Sequence, residues 1–424
     1  MSYHSLITHY ILLVTCVIIW IILVWHVADL SYKHIHIDSV KPHNKSAHKE
    51  DTERIAVLVY LDYKQGGNFA IEFCTFLYAS WKYVMSHSYL TDYVRFKKGV
   101  SRRCSNHTLI DLIVFCHPTT CASLPTDCLK WSTLTQFDLK WMINSSNCMY
   151  RPLPPLTQNP NYPAKYEYLN TFSFLQHMHL GDVLMRYDWI LRSDTDVFLT
   201  PTLLKWRPKY NLVTGEGGYG DLFNRQRLKN ISLKLNLTHR GVTNFGSTWY
   251  GRPKQFLIAA KLTLNISRYL YENEFKPNLS GLEVIFTEGT DSNGKWPMWW
   301  RPVSTMYGSE LALNHLIPGI NQSYKAIDLL DAFSSRRKPA LLYPHIHCWH
   351  GEAEFSKHRF INNITSLLHL DKELKSDDVK NLITDNIGDK NARDMLAWEY
   401  CMYIAWNAVG NHLPHVVTAI LKIG

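Results

Sequence analysis

Three largely apolar runs constrain this chain most: residues 54–61 (RIAVLVYL), which are also β-branched, 109–116 (LIDLIVFC) and 187–199 (YDWILRSDTDVFL). A strand with one wet face alternates polar and apolar residues, whereas a strand covered on both faces is apolar throughout. Between these runs, residues 69–85 and 172–185 carry apolar side chains at helical spacing. Buried strands alternating with helices predict an α/β domain with a mostly parallel sheet flanked by helices. With 46% hydrophobic and 19% charged residues in 424, a disordered chain, a collagen-like fibre and a long coiled coil are excluded. The net charge of +9 is spread along the chain without blocks of Lys and Arg, so no nucleic-acid partner is expected.

The N-terminus adds a compartment. Residues 6–30 are apolar, and their centre, residues 10–27 (YILLVTCVIIWIILVWHV), has no formal charge. About 20 such residues span a bilayer, and no good cleavage site follows, so an uncleaved signal anchor is expected. Residues 1–5 are then a cytoplasmic tail and residues 31–53 a polar stem. The positive-inside rule is silent, because the tail has neither Lys nor Arg. Orientation comes from the Asn-x-Ser/Thr triplets at Asn44, Asn106, Asn144, Asn230, Asn236, Asn265, Asn278, Asn321 and Asn363, all on the C-terminal side of the anchor. As N-glycosylation acceptors they predict a lumenal body and a single-pass type II protein. Of the 9 cysteines, five fall between Cys104 and Cys148 without a CxxC pair. In an oxidising lumen they read as disulfides pinning an irregular loop, with the pairing left open. The domain is expected over 54–375, with a Cys- and Pro-rich insertion at 117–165. Residues 376–424 form a helical extension packed on it, their tail interrupted at Gly410, Asn411 and Pro414.

The chemistry lies in the third run, where an apolar strand ends in Asp194-Thr195-Asp196 and apolar residues resume at once. Carboxylates at i and i+2 on a strand point to the same side and make a hard-oxygen site for a divalent cation holding a diphosphate. This segment resembles the Asp-x-Asp motif of GT-A fold glycosyltransferases, and the type II layout is similar to that of Golgi members of that group. The resemblance implies a GT-A-like, Rossmann-like catalytic domain and a UDP- or GDP-sugar donor held through Mn²⁺ or Mg²⁺. It further implies a glycan, lipid or protein acceptor and residence in the Golgi or ER membrane. Asp196 would be the better metal ligand, and Asp194 would contact ribose or the metal through water. The donor would lie where the first strand ends at Asp62, and Arg192 would balance charge or reach a phosphate.

Other candidates lie downstream. His345, His347 and His350 fall within six residues, and His347 or His350 would complete the metal site. Residues 307–315 (YGSELALNH) read as a turn opening a helix capped by Ser309, with Glu310 in its first turn as an acceptor-deprotonating base. Asp291 and Glu288 are weaker alternatives. Residues 296–301 (WPMWWR) are aromatic, and Trp299 and Trp300 are candidate sugar-stacking walls. Residues 215–220 (GEGGYG) and 244–251 (NFGSTWYG) are small-residue loops that approach the site, the first not a dinucleotide fingerprint because it follows the wrong strand. Two other readings compete. A membrane-tethered, lumenal carbohydrate-binding protein would use the aromatics and a structural cation without catalysis. A Golgi sulfotransferase would need a phosphate-cradling loop after the first strand, and residues 62–68 (DYKQGGN) lack one.

Overall fold

The computed structural model describes residues 52–63, 68–93, 107–131, 145–159, 167–275, 299–348, 354–369 and, with short gaps, 381–421. The expected tail, anchor and stem up to residue 51, the candidates His350, Asp291 and Glu288, and Asn44, Asn106, Asn144 and Asn278 lie outside these residues. Among the described residues no helix is long and apolar enough to cross a membrane. Residues from Asp51 onward form one compact unit.

A seven-stranded sheet organises that unit. Its strands are β1 (Thr52–Leu61), β2 (His107–Cys116), β3 (Leu129–Lys130), β4 (Cys148–Pro152), β5 (Trp189–Arg192), β7 (Leu212–Glu216) and β8 (Phe245–Gly251). Their order is β3-β4-β2-β1-β5-β8-β7. The first five are mutually parallel, and β8 runs antiparallel to both β5 and β7. A second, three-stranded sheet joins β6 (Val197–Leu199), β10 (His345–His347) and β9 (Ala332–Phe333).

The apolar runs are explained by burial on both faces. Ile55, Val57, Val59 and Leu61 of β1 enter one hydrophobic core, while Ala56, Leu58 and Tyr60 enter another. Side chains of a strand alternate between faces, so a central strand with two dry faces must be apolar at every position. The first core is covered by α1, whose first turn (Phe69–Glu72) and body (Ala79–Ser86) are joined by a π-helical segment (Phe73–Tyr78), together with the C-terminal helix Ala397–Leu421. The second is covered by α2 (Met178–Leu184) and α4 (Pro253–Tyr269). A third core lies outside the sheet between α3 (Leu222–Lys234), α4 and α5 (Ser304–Leu316). Two further helices follow, α6 (Lys357–His369) and α7 (the C-terminal Ala397–Leu421).

Four expectations are corrected here. The third apolar run is not one strand: it divides into β5 and β6, which belong to different sheets. The segment 117–165 is not purely an insertion, because β3 and β4 extend the main sheet from it. Residues 167–176 are 3₁₀-helical (Glu167–Gln176), and the α-helix begins only at Met178. The tail is helical through Gly410 and Pro414, since burying Tyr400, Ile404 and Val409 in the first core outweighs their poor propensity.

The cysteine cluster is disulfide-bonded as expected, through Cys116–Cys121 and Cys128–Cys148, while Cys104 lies outside the described residues. Cys116–Cys121 closes a loop with a sequence separation of 5. Replacing both of its cysteines by serine is expected to cost about 2 kcal/mol by loop-closure entropy, read from urea unfolding midpoints.

Candidate metal centre

The site lies where the chain crosses between sheets. Ser193 still bonds to β1, its N–H donating to the Leu58 carbonyl at 2.9 Å, and three residues later the Asp196 carbonyl accepts from the Cys348 N–H just beyond β10, also at 2.9 Å. The intervening residues are thus pinned at both ends, at the carboxyl end of β5. Antiparallel pairing of β10 with β6 sets His347 opposite Val197 and brings its imidazole to Asp196. One ligand atom each from Asp194, Asp196 and His347 lie within 4.8 Å of one another, so this group can hold a metal ion. Two carboxylates and one imidazole are a ligand set that divalent cations accept.

Each ligand is oriented from behind. Asp194 accepts from the Ser247 hydroxyl at 2.7 Å and faces Arg192 at 3.7 Å, and its side chain is 30% exposed, the most open of the three. The nearly buried Asp196 carboxylate meets His347 Nε2 at 3.2 Å through one oxygen and Lys357 Nζ through the other. Burial alone would raise the Asp196 carboxyl, but His347 and Lys357 outweigh it and hold it far below the carboxylate range. His347 Nδ1 lies 3.4 Å from Asp331. Burial opposes protonation of His347, and the carboxylates of Asp196 and Asp331 on either side override it, raising the imidazole well above its usual value. A carboxylate behind the imidazole is the usual way a metal-binding histidine is fixed.

Strand alternation directs His345 onto Asp331 as well, where it accepts the Asp331 N–H at 3.3 Å, with Ser193 at 3.0 Å on its other nitrogen. Full burial lowers its imidazole to about 4, so it is a neutral spacer. Asp331 itself takes φ +55°, a left-handed backbone that Asp tolerates better than most residues. Its Oδ1 accepts from Thr248, and its Oδ2 is buried without a hydrogen-bond partner. Gly215 and Gly246 make room for that carboxylate: a Cβ on Gly215 would lie 1.8 Å from Oδ2, and one on Gly246 would lie 2.7 Å from it.

Beside Asp194 is a small pocket lined by Phe172, Arg192, Ser247, Trp249, Met306 and Ser309. Ser247 therefore serves both pocket and ligand. Ser247→Ala is expected to weaken divalent-cation binding about tenfold, since partners behind a ligand typically contribute 10–100-fold; titration of Mn²⁺ measures it.

The remaining sequence candidates separate into several groups. Asp62 stands at the carboxyl end of β1 and accepts from Asn170 and from the Tyr63 N–H, each at 2.8 Å. Arg192 is buried beneath Asp194, its guanidinium 5.6 Å from the Phe172 ring centroid. Glu310 is corrected. Helix α5 starts at Ser304, so Glu310 is in its second turn, and Ser309 bonds back to the Met306 carbonyl instead of capping. The Glu310 carboxylate is fully buried, takes the Asn244 N–H at 2.7 Å and meets His239 at 3.2 Å. It anchors the 239–244 loop, and none of its contacts is with the metal-centre ligands. Trp299 is also corrected: it is fully buried, its ring stacked on Tyr307 at 4.3 Å and on Phe275 at 5.1 Å, so no face is free for a sugar. Trp300 is half-buried, and its backbone N–H donates to the Tyr307 hydroxyl at 3.1 Å. The 215–220 segment ends an antiparallel edge strand, as befits a loop that is no dinucleotide fingerprint.

Sequence reasoning missed Glu72, Asp331 and Lys357. Glu72 had a signal, being the only charged residue in residues 69–81 (FAIEFCTFLYASW). Asp331 had a fainter one, a lone carboxylate between Leu330 and Ala332. Lys357 had none.

Fold and site thus define an α/β domain with a candidate divalent-metal centre at the carboxyl end of its parallel strands. The chain belongs to the family described as a domain of unknown function, DUF7164, whose model matches residues 49–418. That match takes in the C-terminal helical extension together with the expected catalytic domain. No curated protein matches the chain.

Proposed function

We propose that this protein is a metal-dependent glycosyltransferase that moves a sugar from a UDP- or GDP-sugar to a hydroxyl of a glycan, lipid or protein. The carrying observation is the convergence of Asp194, Asp196 and His347 on one point at the carboxyl end of β5, beside a pocket. In open α/β sheets, ligands bind outside the carboxyl ends of the strands, and Asp62 closes β1 at that same end. These three residues would hold Mn²⁺, or Mg²⁺, and the cation when bound would neutralise charge developing on the departing diphosphate. The chain's own work is positional. His347 is clamped between two carboxylates and Asp194 is held by Ser247, so the ligands are ordered before any donor arrives. Arg192, pinned beneath Asp194 on the pocket wall, places a fixed positive charge next to the space a donor would fill.

In this proposal the body is lumenal, held by the N-terminal segment in the Golgi or ER membrane. Asn230, Asn236, Asn265, Asn321 and Asn363, the sequons within the described residues, are all exposed, as acceptors for N-glycans must be. The test is a panel of nucleotide-sugars incubated with the purified chain in Mn²⁺ and in chelator. Sugar release or transfer from one donor, lost in chelator, is expected. Donor binding without turnover on any acceptor would point to a carbohydrate-binding protein, and turnover indifferent to chelator would remove the metal from the mechanism.

A further inference from the structure

Asp196 is already neutralised by a residue of the chain. Lys357, the first residue of α6, directs its ammonium onto Asp196 Oδ2, while His347 holds Oδ1. The same ammonium lies 3.9 Å from Glu72 Oε1, on the helix facing it across the site. All three side chains are nearly closed to solvent, with exposures of 7% for Lys357, 11% for Asp196 and 9% for Glu72. Glu72 is held in place through its other oxygen, which accepts from the Thr195 hydroxyl at 2.9 Å. Thr195 lies between the two aspartates of the metal centre.

This arrangement has two charge states. Without a divalent cation, Asp196 is a buried carboxylate, and burying it unpaired is costly, so Lys357 compensates it. A dication at the Asp194–Asp196–His347 group needs an Asp196 oxygen and repels an ammonium a few ångströms away. Lys357 then needs another carboxylate, and Glu72 is within a small movement of its flexible stem. We infer that Lys357 is the internal counter-cation of the metal centre, paired with Asp196 when the centre is free of divalent cation and with Glu72 when it is loaded. Glu72 thereby sets cation affinity without touching the cation. The inference rests on the metal centre proposed above and makes Lys357 and Glu72 positioning residues.

The test titrates Mn²⁺ alone, by calorimetry, into the full-length chain and into Lys357→Met, Glu72→Gln and Asp196→Asn. Lys357→Met removes the competitor and is expected to bind Mn²⁺ about tenfold tighter, whereas Glu72→Gln strands Lys357 on Asp196 and binds about tenfold weaker, within the range for residues behind a ligand. Melting in chelator adds a second readout: Lys357→Met melts below wild type, and Mn²⁺ restores it by more than it raises wild type. A purely structural role would weaken binding in both variants together, and that result overturns the inference. Should Lys357→Met fail to fold, Lys357→Gln takes its place, and Mn²⁺ binding there equal to or weaker than wild type is the contrary result. A wild type that binds no Mn²⁺, or binds it no better than Asp196→Asn, overturns instead the metal centre itself.

Discussion

Asp196→Asn is expected to lower cation-dependent turnover about a thousandfold or more, the loss of several kcal/mol of metal-assisted stabilisation of the leaving diphosphate. Three consequences combine in that one substitution. The amide is a poorer ligand than the carboxylate, so the hard-oxygen pair with Asp194 is broken. Lys357 and His347, both held charged by Asp196, lose their shared partner inside a nearly closed site. Their protonation then weakens, because burial, which opposes it, is no longer outweighed by Asp196. The fold survives, since the Asp196 backbone keeps its bond from the Cys348 N–H and asparagine has nearly the same volume. The check is donor hydrolysis at saturating Mn²⁺ alongside circular dichroism; a well-folded variant retaining a tenth or more of wild-type turnover would separate Asp196 from the chemistry.

Gly215→Ala is the largest expected effect from a residue that contacts no ligand. A methyl group there would sit 1.8 Å from Asp331 Oδ2 and 2.6 Å from its Cγ. Real carbon–oxygen contacts are far longer, so either β7 or the Asp331 carboxylate must shift. Asp331 is not a loose chain end: Thr248, His345 and His347 all bear on it. Overpacking of this kind costs about 3 kcal/mol, seen as a lower Tm. Displacing Asp331 also removes the support behind His347, so Mn²⁺ affinity falls about 10–100-fold. Stability lost without any change in Mn²⁺ affinity would mean that Asp331 does not orient the histidine.

Local pattern reveals much of this molecule. Largely apolar runs identified β1, β2 and β5 because a dry strand must be apolar on both faces, but the third run read as one strand, and its division between two sheets at the aspartates was not legible. Asp194 and Asp196 were legible as a carboxylate pair at a strand end, whereas the third candidate ligand stayed open between His347 and His350 until the pairing of β10 with β6 brought His347 to Asp196. Exposure is not written locally, and there the reading failed. Glu310 and Trp299 have the composition of a base and a sugar platform, yet the fold buries both. The supporting shell was hidden by chain separation: Thr195 meets Glu72 across 123 positions, and Lys357 meets Asp196 across 161. Such pairs are set by packing of α1 and α6 against the crossover, which no window of sequence contains.

In the proposed function Asp194, Asp196 and His347 hold the cation that binds a nucleotide-sugar diphosphate. Crystals grown with Mn²⁺ and either UDP or GDP, measured at a wavelength where manganese scatters anomalously, test it most directly. One anomalous peak is expected at ligand distance from all three side chains, with the diphosphate completing its coordination at the carboxyl ends of β1 and β5. Manganese bound elsewhere, or nucleotide bound away from these residues, would contradict it.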